Sequence, residues 1–169
     1  MRSAIIWDTS VLDVYLQVPG KQTCGPDEDK WDKERIDQLV QERSASGTLF
    51  VMPVAVILEC GNHIAQASGD RFKLAQQLAQ LILAVADGEA PWAEIASHEQ
   101  LWSPKALREL ARDWPSHAAQ KISLADLSIQ RIADYFDRAG YAVAILTGDR
   151  GLQALAPSIP AVERPRRRS

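Results

Sequence analysis

The stretch "AIIWDTSVL", residues 4–12, decides the fold because its character changes at its centre. Ala4 to Trp7 is a short apolar run with two isoleucines, the composition of a buried strand. Asp8, Thr9 and Ser10 follow, and a short helix is predicted from Thr9 to Val18, stopped by Pro19 and Gly20. A strand that ends in a carboxylate and turns at once into a helix is the first half of a β–α unit. The carboxylate has two readings, as cap of the helix or as one corner of a metal site.

The same alternation continues along the chain. "TLFVM" reads as a second strand, with Pro53 opening a helix from Val54 to Ala67. "PWAEIAS" reads as a short third strand and "YAVAIL" as the clearest strand of all, followed by the turn "TGDRG" and a short helix from about Leu152. Between them, the spacing predicts an amphipathic helix over Asp29 to Ser46 with Trp31, Ile36, Leu39 and Val40 as its apolar stripe, closed by Gly47. A second stripe, Phe72, Ala75, Leu78, Ile82 and Val85, predicts a helix that ends at Gly88. Ser103 and Pro104 open "PKALRELARDW", which Pro115 is expected to break, and "SLADLSIQRIADYFDRAG" forms the last long helix. Strands separated by helices imply an α/β sandwich with a mainly parallel sheet. Ligands in such folds sit beyond the carboxyl ends of the strands, where Asp8 and Asp149 both fall.

At 169 residues the chain fits one domain, expected over residues 1–160, with a basic tail at 161–169 that holds Arg164, Arg166, Arg167 and Arg168. No apolar run approaches the roughly 18 residues of a membrane helix, so a soluble, cytoplasmic protein is expected. Cys24 and Cys60 form no CxxC pair and read as free thiols. The formal charge of −3 looks unfavourable for binding a polyanion. Committing four carboxylates to a cation would leave the rest of the chain close to neutral.

Those four are Asp8, Glu59, Asp126 and Asp149. Glu59 is the most informative. No other charge lies between Leu49 and Asn62, and its helical neighbours Ala55, Val56, Asn62 and His63 include no lysine or arginine. If buried, such a carboxylate must be paired from elsewhere, protonated or bound to a metal; the other reading is exposure at the helix end. Asp126, in "SLAD", also matches a capping box with Ser123, and Asp149 also matches a turn residue or helix cap. A strand-end Asp, an isolated helical Glu, a helix-start Asp and a second strand-end Asp can nevertheless all meet at one pole of a parallel sheet. They would repel each other there unless a cation neutralised them, and oxygen-only ligands suit Mg2+ or Mn2+.

At these residues the sequence resembles the PIN-domain nucleases, most closely the VapC-like toxins of bacterial toxin-antitoxin pairs. The matching motifs are Asp8 with Thr9 and Ser10 after a strand, Glu59 in an apolar helix after a strand and Pro, Asp126 in "KISLADLSI", and Asp149 in "LTGD". Their order and rough separations fit from residue 4 to about 160. The chain departs in Leu127, where the family often has Ala, and in added length around Lys21 to Lys30 and Trp92 to Trp102. The resemblance implies a PIN-like three-layer α/β/α sandwich and a Mg2+- or Mn2+-dependent endoribonuclease. Asp8, Glu59, Asp126 and Asp149 would be its catalytic metal ligands. Thr9, Ser10, Asn62 and Arg150 would contact substrate or ligands, with Lys121 a further phosphate contact. It also implies an RNA substrate, an antitoxin protein as partner and a homodimer, with the stripe over Asp29 to Ser46 as one partner surface.

Two other functions remain open on the sequence: a non-toxin PIN nuclease in RNA processing, and a non-catalytic PIN-like module that binds RNA or protein. Aspartyl phosphatases want an acid two residues after Asp8, where Ser10 stands, and neither a G-x-G-x-x-G nor a Walker A loop is present. His63, His98 and His117 share no spacing and read as packing or surface residues, and the five tryptophans mainly as core.

Overall fold

A computed structural model describes residues 2–155. Strand β1 (Ser3–Trp7) lies at the centre of a three-stranded parallel sheet, with β2 (Leu49–Val51) on one side and β3 (Ala142–Leu146) on the other. Ala4 to Ile6 pair with Leu49 to Val51, and Ser3 to Trp7 with Ala142 to Leu146. Ala4, Ile6 and Trp7 are fully buried, which is why this strand reads as a continuous apolar run. The order β2-β1-β3 makes the chain leave β1 in one direction along the sheet and return to its other side. This reversal makes the carboxyl ends of β1 and β3 the switch point, the place at which open α/β sheets form their ligand crevice.

Helices pack around the sheet, an α/β arrangement compatible with an α/β/α sandwich. Helix α1 (Thr9–Tyr15) leaves β1, and α2 (Lys33–Ala45) leads into β2 after a 3-10 turn at Asp27–Asp29. Helices α3 (Val54–Gln66) and α4 (Arg71–Ala86) form a pair. An irregular 3-10 segment (Ile95–Trp102), α5 (Pro104–Ala118) and α6 (Leu124–Arg138) follow, then β3 and α7 (Arg150–Leu155). Helix α6 joins β3 through a tight turn at Gly140 and packs back on β3 and β1. Its N-terminus with Asp126 therefore lies toward the carboxyl pole of the sheet.

One core joins both sides of the sheet. Trp7 meets Tyr15, Phe50 and Trp92 at centroid distances of 5.2, 6.0 and 5.3 Å, mostly edge to face. Such pairs add about 0.5–1.5 kcal/mol each beyond area burial. Trp7 and Trp92 are thus packing residues, and Trp31 is stacked under the Arg35 guanidinium at 3.7 Å. Ile36 of α2 is fully buried, and Trp31, just before the helix, with Leu39 and Val40 packs partly buried against the core, so the stripe is in part spent on packing within the chain.

Several expectations need correction. "PWAEIAS" forms no strand but a single bridge from Trp92 to Phe50, with bonds Phe50 N to Pro91 O and Ala93 N to Phe50 O; the chain then coils into 3-10 turns. Helix α1 ends at Tyr15, before the expected Val18, and α2 starts at Lys33 because Asp32 caps it through the Arg35 amide. Helix α5 runs through Pro115 to Ala118. Only its last turn follows the proline, and there the side chains of Ser116 and His117 engage the Asp113 carbonyl. Helix α7 begins at Arg150 rather than near Leu152, because Asp149 caps it. The tail at 161–169 lies outside the described residues, and among the described residues no helix is long and apolar enough to cross a membrane.

His98 is fully buried, its Nε2 has no partner among the described residues, and its ring lies 6.2 Å from that of Phe136. Burial lowers its pKa from the ordinary 6.5. As pH falls below that value, the unfolded chain takes up a proton that the folded core resists. Stability is therefore lost with acidification, by at most about 1.4 kcal/mol per pH unit for one proton. In urea unfolding at pH 7.5 and 5.5, wild type is expected to lose more stability on acidification than a His98→Phe variant.

Candidate functional site

The crevice between β1 and β3 holds a connected set of hydroxyls and carboxylates. Asp8 continues the strand pairing by donating its amide to Leu146 O at 3.0 Å. It stands at the N-cap position of α1, and its carbonyl accepts from Val11 and Leu12. Its carboxylate makes no capping hydrogen bond. Instead Oδ2 accepts from Ser10 Oγ and from Thr147 Oγ1, each at 2.7 Å. Each hydroxyl accepts in turn from the β3 turn: Ser10 Oγ from the Gly148 amide at 3.0 Å, Thr147 Oγ1 from the Asp149 amide at 2.9 Å. The side chain that could have closed a helix is thus held against the end of β3, only 8% exposed, and Oδ1 has no partner among the described residues.

Thr9 extends the set in the opposite direction, donating from Oγ1 to Glu59 Oε2 at 2.9 Å. Glu59 is exposed. The premise that it is a buried, unpaired carboxylate therefore fails, and the exposure reading is the correct one. The apolar residues around it face the core at Val56 and Cys60, while Glu59 faces the end of α1.

The other residues expected in the site are placed as follows. Asp126 is half-buried and closes a capping box: its amide donates to Ser123 Oγ at 3.0 Å, and its Oδ2 accepts from the Ser123 amide at 3.3 Å. It shares the carboxyl pole with the set but no hydrogen bond with it. Asp149 is exposed and caps α7, its Oδ1 accepting from Gly151 and Leu152 amides at 2.6 and 3.1 Å. Asn62 is exposed and makes no side-chain hydrogen bond with another described residue; one turn after Glu59, the residue that does so is His63. Arg150 pairs with Glu28 at the surface rather than facing Asp8. Lys121 is exposed, in a left-handed backbone conformation two residues before the Ser123 cap.

Three features escaped the sequence reading. Thr147 is the first, a buried residue that stands in the "LTGD" motif with no role assigned to it there. The second is a pair beneath the site, where Asp13, 2% exposed, accepts from or donates to His63 Nδ1 at 2.6 Å, with Lys21 at 3.9 Å. Burial raises the Asp13 pKa, opposed by the Cys60 thiol, His63 and Lys21. Burial also pushes the Cys60 thiol up, reinforced by the Asp13 charge, so it stays a protonated thiol at neutral pH. Asp13 stands one turn after Thr9 and His63 one turn after Glu59, so α1 and α3 are joined by two successive polar rungs.

The third is the loop before α2, which lies directly on the β3 turn. A Cβ at Gly148 would come within 2.6 Å of the Gly25 amide nitrogen and 2.9 Å of Cys24 Sγ. The loop is braced by the bridge between Cys24 and Trp31 and by Arg35, which pairs with Asp29 at 2.7 Å.

A divalent cation is compatible with this set, though not as an all-protein cage. No three His, Cys, Asp or Glu side chains among the described residues converge as a metal-binding group. Mg2+ commonly takes one or two carboxylates and keeps several waters, and the donors here are oxygens only. An oriented carboxylate with an unpartnered Oδ1 fits that requirement. Comparisons with models of known families, with curated proteins and with solved structures returned no match.

Gly148→Ala is expected to force the Cys24–Gly25 backbone off the β3 turn. Overpacking of this kind costs roughly 1–3 kcal/mol, measurable as a lower urea midpoint. An unchanged midpoint would mean that the loop yields freely.

Proposed function

We propose that this chain is a metal-dependent endoribonuclease of the PIN type, the toxin of a toxin-antitoxin pair that acts on RNA in the cytoplasm. One observation carries the reading. Asp8 occupies a helix N-cap yet does not cap, and two hydroxyls hold its carboxylate in the crevice where the strand order reverses. Support also comes from the motif order and the parallel sheet, which is compatible with a PIN-like α/β/α sandwich.

Asp8 would hold Mg2+ or Mn2+ directly, and Glu59, Asp126 and Asp149, which do not converge with it as a metal-binding group, would take part through bound water. When bound, the ion supplies polarisation of a phosphoryl oxygen and hydroxide near neutral pH. The chain's own residues supply orientation. Ser10 and Thr147 fix the Asp8 carboxylate against rotation, Thr9 holds Glu59 toward the same pole, and the β3 amides hold both hydroxyls that contact Asp8. Preset ligands of this kind lower the cost of ordering the site around substrate. An antitoxin and a second copy of the chain are the protein partners of this reading.

A non-catalytic PIN-like module is the second reading, favoured by the caps that occupy Asp126 and Asp149. RNA cleavage separates the two. The enzyme reading expects cleavage with Mg2+ or Mn2+ that stops on adding EDTA, and none in Glu59→Gln with an unchanged circular dichroism spectrum. Full activity in that variant would remove Glu59 from the site; no cleavage of any RNA by wild type would favour the module. Thr147→Val, which leaves Asp8 with one hydroxyl, is expected to lower activity or metal affinity by roughly ten- to hundredfold. The readout is initial rate against metal concentration.

A further inference from the structure

Helices α1 and α3 share one polar cluster that the proposed reaction does not use. Asp13 of α1 is 2% exposed, and its Oδ2 lies 2.6 Å from Nδ1 of His63 on α3. Its Oδ1 is buried with no hydrogen-bond partner among the described residues. Lys21, beyond the end of α1, brings its Nζ to 3.9 Å from the same Oδ2. A carboxylate this deeply buried is costly unless cationic groups answer it, and here two side chains do so from one side. Both reach the surface, the His63 side chain being 26% and the Lys21 side chain 44% exposed.

The cluster keeps donors to spare. A protonated imidazole that directs Nδ1–H to Asp13 has Nε2–H left to donate, and His63 Nε2 makes no hydrogen bond with another described residue. The Lys21 ammonium is near enough to Asp13 to be attracted but too far to donate to it, so its hydrogens remain available. Other cations close to the crevice are spent on acids. Around the loop that rests on Gly148, Lys30 pairs with Asp27, Arg35 with Asp29 and Arg150 with Glu28.

Position selects what these donors meet. Asp13 comes four residues after Thr9 and His63 four after Glu59, so the pair stands about 6 Å farther along both helices than the Thr9–Glu59 bond. An extended nucleic-acid strand repeats its phosphates at a comparable interval, and single strands are held by positive groups that track their backbone. A strand with one phosphate at the crevice and its backbone following α1 and α3 sets the next phosphate beside His63 and Lys21. We propose that His63 and Lys21, both held by the buried Asp13, bind the RNA phosphate next to the one attacked at Asp8. The subsite rests on the ribonuclease reading and adds a substrate contact outside the four acids. Asp13 touches no substrate in it; it is a positioning residue that acts through the two cations.

Binding of a short fluorescein-labelled single-stranded RNA, followed by anisotropy with Mg2+ present in the Glu59→Gln background, tests the subsite apart from cleavage. Lys21→Gln is expected to weaken binding roughly tenfold and to lower the slope of log affinity against log salt by about 0.7, the share of one phosphate contact. His63→Gln is expected to weaken binding by a similar factor at an unchanged urea midpoint, because the glutamine amide still donates to Asp13 and keeps the two helices linked. Lys105→Gln removes an exposed cation of α5 and is expected to leave the affinity as it was. Unchanged affinity and salt slope in Lys21→Gln and His63→Gln, an equal loss in Lys105→Gln, a loss in His63→Gln that follows a lowered urea midpoint, or no binding of the RNA at all would each overturn the subsite. Binding that depends on both residues, in a wild type that cleaves no RNA, would leave the subsite standing and remove the ribonuclease reading.

Discussion

The contact on which the site depends is the Asp8 carboxylate held between the Ser10 and Thr147 hydroxyls. It joins the ends of two neighbouring parallel strands, which the sheet ladder alone leaves open at the carboxyl pole. Both hydroxyls are themselves held by amides of the β3 turn, so neither can rotate away without leaving a polar group unpaired in a confined place. Thr147 is buried, and its loss would be felt by Asp8 and the Asp149 amide at once.

The remainder of the site is arranged around that contact with decreasing order. Glu59 reaches it through Thr9, the residue next to Asp8, and the Asp13–His63 pair repeats the link one turn lower. The loop at Cys24 and Gly25 rests on Gly148, so its position is set by the same turn that orders Asp8. Asp126 and Asp149 are held by helix caps of their own, and their carboxylates are fixed by local backbone rather than by the crevice.

Much of the fold was legible because its strands are buried on both faces and its helices carry plain stop signals. "SAIIW", "TLFVM" and "YAVAIL" became the sheet, and Gly47, Gly88 and Ser103 end or begin helices where expected. "PWAEIAS" misled because a short apolar run next to a strand can cover its edge with one bridge and no ladder. The candidate site was legible in part. Asp8 stands at the strand end where the sequence puts it, but nothing local in "LTGD" shows that Thr147 reaches Asp8 from 139 positions away. Glu59 was selected on the assumption that an apolar neighbourhood in sequence means burial, whereas a helix in contact with the core on one side still has an outer side. The Asp13–His63 pair was missed for the same reason as Thr147, since pairing between two helices has no spacing to read.

The central strand β1 is made well before its partner β3. Asp8 and Thr147 are separated by 139 positions, with six α-helices, β2 and β3 between them. Closing so long a loop is slow compared with forming local helices, and it cannot begin before β3 exists. A nascent chain on the ribosome can therefore fold its helices but has no assembled crevice until residues 142–149 emerge. The set of contacts around Asp8 is therefore complete only once the β3 turn has been made and folded back onto β1, so the topology itself delays the assembly of the crevice.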